Sequence, residues 1–207
     1  TGCGKSTLAQ LLLGIYQADS GHIIYNGNEI GSLRLEDLRL KIGFVPQEVF
    51  LFSDTIENNI KFGNPTATFD EVEQAAKYAG IYQEIVAFDN GFQTIVGERG
   101  VTLSGGQKQR ISIARALIKK PDIIIFDDCF SAVDTKTEQY IFEQLNHYLH
   151  NRTAIVITHR VFSSLNMERV AVMDNGKIVE IGTPDQLAKQ KGKYAEMLEK
   201  QRFEDNL

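Results

Sequence analysis

Residues 122–128 read Asp-Ile-Ile-Ile-Phe-Asp-Asp, and no other stretch of the chain narrows the possible folds as much. A strand with one face in water alternates apolar and polar residues, whereas four consecutive large apolar side chains require cover on both faces. Such a strand belongs to a parallel sheet flanked by helices, because parallel neighbours are joined by crossovers of a dozen residues or more. The spacing predicts helices over 5–14, where Leu8, Leu11, Leu12 and Ile15 recur at helical intervals, over 107–119, with Ile111, Ile113, Ala114 and Leu117 inward, and over 135–149. Further strands are expected over 42–46, ending at Gln47, and over 153–158, the latter buried. Asn26-Gly27 and Asn175-Gly176 are turn signals: the first ends a strand over 21–27, the second joins 170–173 to 177–181 as a hairpin. A helical stretch over 55–86 is broken near Gly63-Asn64-Pro65 and near Gly80, with Asp70 as the expected cap of the helix carrying Val72, Ala75, Ala76 and Ala79. The glycine-rich run 91–106 reads as loop and the tail 184–201 as helix. The sum is an α/β chain whose middle third, about 48–117, is a helical insertion with almost no strand signal.

Composition excludes several classes. The 207 residues are 43% hydrophobic and 24% charged, ordinary for a globular domain and unlike a fibre or a disordered tail. Twenty-two basic against 27 acidic residues leave a net charge of -5, so bulk charge predicts no basic footprint for nucleic acid and any phosphate site must be local. No apolar run approaches the roughly 18 residues that span a bilayer. Two cysteines, Cys3 and Cys129, are too few for a disulfide framework and fit a reduced setting.

Three constellations carry chemistry. Gly2-Cys3-Gly4-Lys5-Ser6-Thr7 leads straight into a helix and matches the second half of the phosphate-binding pattern G-x-x-x-x-G-K-[ST]. Its backbone N–H groups can wrap a phosphate at a helix N-terminus, Lys5 would reach the β- and γ-phosphates, and the Ser6 hydroxyl would ligate Mg²⁺. The bland alternative is a glycine-rich turn. Because the pattern's first glycine and its feeding strand would precede Thr1, the chain is expected to be a piece of a longer polypeptide lacking its N-terminal strands. The second constellation is the pair Asp127 and Asp128 at the C-terminal tip of the apolar strand, where α/β sheets bind ligands. Asp127 would hold Mg²⁺ through water and Asp128 would face an attacking water; two solvated aspartates are the alternative. The third is Leu103-Ser104-Gly105-Gly106-Gln107, a second anion-binding helix start ahead of Gln109, Arg110 and Arg115. Two such devices in one chain suggest a nucleotide shared between two copies, against the alternative of an ordinary cap.

Taken in order, these stretches resemble the ATP-binding-cassette (ABC) ATPases. Leu103–Gln107 resembles the family signature, residues 1–7 Walker A, Gln47 after Phe44-Val45-Pro46 the Q-loop, and Ile123–Asp127 Walker B. Ser131-Ala132-Val133-Asp134 resembles the D-loop, and His159 in Val156-Ile157-Thr158-His159 the switch histidine. Residues 94–100 resemble the X-loop of exporters, and Asp54–Ile60 followed by Phe62-Gly63 resembles the exporter segment after the Q-loop.

The resemblance implies a P-loop NTPase (RecA-like) core over 1–47 and 118–207, with a mostly parallel sheet, and a helical signature subdomain over about 48–117. It implies ATP and Mg²⁺ bound between two head-to-tail nucleotide-binding domains, in a homo- or heterodimer. A transmembrane domain would be fused N-terminally in a parent exporter, which places this part at the cytoplasmic face of a membrane. Gly2, Cys3, Gly4, Lys5, Ser6 and Thr7 would bind the nucleotide on one side, with Ser6, Gln47 and Asp127 at the metal. Ser104, Gly105, Gly106 and Gln107 would meet the γ-phosphate of the opposite site. Gln47, Asp128 and His159 would serve hydrolysis, and Asp134 would tie the two sites together.

One position departs from the family pattern. Asp128 stands where a water-polarising glutamate is usual; it is one methylene shorter, and a displacement of about 1 Å can lower a rate about 100-fold. This pattern resembles the half of a heterodimeric exporter that gives its Walker motifs to a degenerate site. A non-transport ABC ATPase, or a sensor that binds ATP without hydrolysing it, stays open as an alternative. Val49–Phe52 would line a groove for transmembrane coupling helices or belong to the helical-lobe core. Cys3 reads as a small residue that fits the loop and Cys129 as packing; His22, His147 and His150 have no functional context.

Overall fold

The computed structural model describes residues 2–97, 100–130, 135–150, 152–162 and 165–205. The apolar run forms β4 (Ile123–Asp127), which lies between β3 (Ile42–Val45) and β5 (Thr153–Ile157), both parallel to it. Side chains of β4 alternate between two cores, as a strand covered on both faces requires. Ile124 and Phe126 join the larger core, where Phe126, Phe130, Phe142 and Phe162 pack ring to ring at 4.7–5.5 Å along the chain of contacts. Ile125 faces the other way, onto Ala9, Leu13, Leu38, Ile42 and Ile157. That second core is roofed by α1 (Lys5–Leu12) and α2 (Leu35–Lys41). The crossover from β4 to β5 is α7 (Thr135–Leu149), at the span that the periodicity predicts. The α/β fold with a parallel sheet expected from the Ile run is therefore the observed one.

The expectation that β5 is buried throughout is corrected: Thr153 and Ala154 are exposed and only Ile157 is buried. Among the described residues β5 has a partner on one edge only, so neighbouring side chains cover it less than they cover β4.

Between β3 and β4 the chain is helical: α3 (Ile56–Lys61), α4 (Phe69–Tyr78), α5 (Tyr82–Val86) and α6 (Gly105–Leu117). The breaks fall at the expected glycines. At Gly63 a Cβ would run into the backbone carbonyl of Arg115, so only glycine lets α3 end this close to α6. Asp70 does not cap α4. Thr68 does: its hydroxyl accepts the Glu71 N–H at 3.3 Å while Glu71 accepts the Thr68 N–H at 2.9 Å. This is the reciprocal capping box, and it leaves Asp70 in the first turn, where its charge meets the positive end of the helix dipole. The run 91–106 is not all loop: Gly91–Gln93 form a 3₁₀ turn, and bridges join Thr55 to Ile95 and Val96 to Val101.

Both Asn-Gly signals form two-residue hairpin turns. They join β1 (Ile24–Tyr25) to β2 (Asn28–Glu29) and β6 (Val170–Asp174) to β7 (Lys177–Gly182). Asn26 and Gly27 have φ of 48° and 78°, and Asn175 and Gly176 have 46° and 75°, the pair of positive values that suits strand twist. The helical tail divides into α8 (Pro184–Lys189) and α9 (Lys193–Asp205). The Glu180 carboxylate of β7 accepts the N–H groups of Lys193 and Tyr194 at 2.6 and 3.2 Å and so anchors the start of α9. Among the described residues no helix is long and apolar enough to cross a membrane.

Candidate functional site

Gly4 adopts φ 95° and delivers the chain into α1 at Lys5. Among the described residues no side chain caps this helix, which leaves its first N–H groups available to an outside acceptor, as a phosphate site requires. The loop is braced from behind: the Cys3 carbonyl accepts the Gly176 N–H of the β6–β7 turn at 3.2 Å. Lys5 folds back over the loop, its Nζ 3.4 Å from Cys3 Sγ. Burial raises the Cys3 pKa, but the Lys5 hydrogen bond and charge outweigh it, and the thiol lies below its ordinary value.

The first turn of α1 meets the tip of β4. Ser6 Oγ donates to Asp127 Oδ1 at 3.3 Å across 121 residues of sequence, and Asp127 is 7% exposed. Beside them, three consecutive strand ends converge. Gln47 follows β3, Asp128 follows β4 and His159 follows β5. The Asp128 carboxylate accepts from His159 Nδ1 at 2.8 and 3.1 Å and from Gln47 Nε2 at 3.3 Å. Its backbone N–H still donates to the Ile157 carbonyl at 2.8 Å, which continues the ladder, while φ of 48° turns the side chain out of the sheet. Aspartate tolerates that left-handed conformation better than most residues. The structure thus brings Ser6, Gln47, Asp127, Asp128 and His159 together at the C-terminal edge of the sheet, next to the loop of Gly2, Gly4, Lys5 and Thr7.

Ser104–Gln107 form a separate turn. Ser104 caps α6, which starts at Gly105, two residues before the sequence expectation. Its hydroxyl accepts the Gln107 N–H at 3.2 Å, and Gln107 Oε1 accepts the Ser104 N–H at 2.9 Å. A hydroxyl used as an acceptor keeps its proton for an outside oxygen, so Ser104, Gly105 and Gly106 present donors outward. The Gln107 side chain, expected at the nucleotide, is committed to the cap and, through Nε2, to Glu84 Oε2 at 2.9 Å. Asp134, with the rest of its motif, and Glu98 and Arg99 lie outside the described residues.

The family model for the ABC transporter matches residues 1–131. The chain belongs to the ABC transporter family. ATP-binding cassette sub-family B member 6 of Xenopus tropicalis is 46% identical over 201 residues, which cover 97% of this chain and 24% of that protein. ABC transporter B family member 24, mitochondrial, of Arabidopsis thaliana is 44% identical over 197 residues, covering 95% of this chain and 29% of that protein. A solved bacterial Atm1-family ABC exporter with ATP bound superimposes with a TM-score of 0.92 at 42% identity, over 97% of this chain and 35% of that chain. The chain therefore spans about a quarter to a third of the ABC proteins it matches.

Within this ABC chain several residues stand where sequence reasoning had left alternatives or seen nothing. Phe50 and Phe52 are 67% and 38% exposed, so they are not core; only Leu51 between them is buried. Phe52 stacks at 4.6 Å on Phe62, itself exposed, and Arg115 lies 5.7 Å from both rings. Arg115 also donates to the Phe50 and Asn59 carbonyls at 2.9 and 2.8 Å, so an aromatic patch is held up by a half-buried guanidinium. Cys129 is fully buried, and burial pushes its thiol well up. A polar cleft of about 610 Å³ lined by Asn26, Lys120, Asp122, His150 and Arg152 lies at the opposite ends of β4 and β5 and holds none of the expected site residues.

Proposed function

We propose that this chain is the ATP-binding, ATP-hydrolysing half-site of an exporter, working between two head-to-tail copies of such a domain. The division expected from the sequence, a core over 1–47 and 118–207 and a signature subdomain over about 48–117, belongs to this proposal. The observation that carries the reading is the convergence of Ser6 on Asp127 at 3.3 Å beside the Gln47–Asp128–His159 cluster.

The donor set fits Mg²⁺. A hydroxyl and a carboxylate oxygen this close can share one ion, and Mg²⁺ is usually held by one or two protein oxygens plus waters and substrate phosphates. Ser6 and Asp127 would hold the ion, which would supply charge neutralisation for the nucleotide phosphates. The protein does the rest. The N–H groups of Gly2–Thr7 hold phosphate oxygens, and Lys5 leaves Cys3 to reach them. Gln47 and His159 orient the Asp128 carboxylate, and His159 hydrogen-bonds the γ-phosphate or the water. Ser104, Gly105 and Gly106 meet the γ-phosphate of the opposite site.

Hydrolysis at this chain's own Walker site is slow, because Asp128 is short and is drawn to His159 and Gln47 rather than extended beyond them. In a heterodimer its signature would then serve the active site of the partner. The patch of Phe50, Phe52 and Phe62 fits a transmembrane domain of the same parent protein, with this domain on the cytoplasmic side of the membrane. ATP turnover by the full-length protein, alone and mixed with an exporter half-protein encoded beside it, tests the reading. Turnover only in the mixture supports a degenerate site at Asp128; equal turnover by the protein alone shows that Asp128 suffices.

A further inference from the structure

Glu84 lies on α5, 20 residues upstream of the signature turn, and no motif contains it. Its carboxylate is nevertheless the acceptor on which the first turn of α6 is hung. Oε2 accepts Gln107 Nε2 at 2.9 Å and Oε1 accepts Arg110 at 2.7 Å. Arg110 is 7% exposed, and its other donors reach the carbonyls of Gly106 and Gly80, both at 3.3 Å. The chemistry leaves no freedom in this arrangement. An ionised carboxylate only accepts, a guanidinium only donates, and the Ser104 N–H only donates. The Gln107 amide therefore has one orientation that satisfies both ends: nitrogen to Glu84, oxygen to Ser104. Turned over, it would set its NH₂ against the Ser104 N–H and its oxygen against a carboxylate.

We propose that Glu84 is a positioning residue for the phosphate-facing turn Ser104–Gly106. By fixing the Gln107 amide and Arg110 together, it holds the Ser104 hydroxyl as the acceptor of the Gln107 N–H. The hydroxyl proton and the first N–H groups of α6 are thereby aimed outward before nucleotide arrives. Pre-organised donors contribute more to binding than donors that must be ordered during it. The proposal rests on the reading above that this turn contacts the γ-phosphate of the opposite site.

Three variants of the full-length transporter test it, each assayed for ATP KM, kcat and melting temperature. Glu84→Gln keeps shape but places an NH₂ group against the donors of Gln107 or Arg110. It should raise the ATP KM about five- to tenfold, the difference between a charge-assisted and a neutral hydrogen bond, with kcat within about twofold. Glu57→Gln is the control: Glu57 on α3 bridges Gln93 and Lys61 in the same way, at 2.7 and 2.6 Å, and its loss should lower the melting temperature without moving KM. Ser104→Ala tests the underlying reading. If Ser104→Ala raises KM while Glu84→Gln leaves it unchanged or behaves as Glu57→Gln does, the positioning role is overturned and the trans contact stands. If Ser104→Ala leaves KM unchanged, the trans contact itself falls, and the role of Glu84 with it.

Discussion

Replacing Asp128 with glutamate should accelerate hydrolysis and weaken the fold at the same time. The extra methylene advances the carboxylate by about 1.5 Å, one carbon–carbon bond. Asp128 now sits between His159 at 2.8 and 3.1 Å and Gln47 at 3.3 Å, at the edge of the site. An advance of that size is the scale on which misplacement alters a rate about 100-fold, equivalent to about 2.7 kcal/mol of barrier. The fold loses on two counts. Position 128 has φ of 48°, where glutamate lacks aspartate's tolerance and strain costs about 1–2 kcal/mol. The contacts to His159 and Gln47 must also re-form at a new length, each worth about 1 kcal/mol. A total of about 1–4 kcal/mol, the lower figure if both contacts re-form, at about 2–4 °C per kcal/mol for a chain of this size, predicts melting several degrees lower. In the proposed heterodimer, single-turnover hydrolysis by the intact transporter should resolve the two composite sites as two phases. The slow phase should quicken about 100-fold, in a variant that melts earlier than its parent. A folded Asp128→Glu protein whose slow phase is within about twofold of the parent would falsify the assignment of slow turnover to the short carboxylate.

Lys5→Ala removes the one side-chain cation of the loop and should weaken ATP binding more than about tenfold, read as loss of the ATP-dependent rise in melting temperature. Because Lys5 holds the Cys3 thiol below its ordinary pKa, the thiolate persists to lower pH. The alkylation rate of Cys3 against pH should therefore have its midpoint below that of a free thiol. The midpoint should move up in Lys5→Ala and on adding ATP; no movement in either would separate Cys3 from Lys5. Cys129, buried and shifted the other way, should stay unlabelled until the protein unfolds. Phe130→Ala removes a 2% exposed ring that packs on Phe126, Phe142 and Phe162. It should cost about 3–5 kcal/mol in denaturant unfolding; a loss under about 1 kcal/mol would mean that this core collapses to fill the space.

Much of this molecule is written in short-range pattern. The unbroken Ile123–Phe126 run implied a strand covered on both faces, and β4 sends Ile124 to one core and Ile125 to the other. Asn26-Gly27 and Asn175-Gly176 implied two-residue turns because only a few residues adopt positive φ twice in succession. The cap of α4 was equally local: Thr68 followed at the third position by Glu71 is a capping box, a stronger signal than Asp70 alone. The loop at Gly2–Thr7, the aspartates at the strand tip and the glycine pair at 105–106 were legible for the same reason, since each is a backbone shape that particular residues impose on their neighbours.

What no local pattern contains is who meets whom. His159 and Gln47 reach Asp128 across 31 and 81 residues, because parallel pairing of β3, β4 and β5 in one register stacks three strand ends side by side. Glu84 sits in an unremarked Tyr82–Val86 helix and becomes the support of the α6 turn only through the packing of α5 beside it. Phe50 and Phe52, apolar by composition, stay in water because Arg115, Asn59 and Leu51 occupy the space beneath them. Local periodicity decides the conformation and burial of each segment over a few residues. Convergence of side chains far apart in sequence depends on how the segments pack, and that is set by the tertiary structure alone.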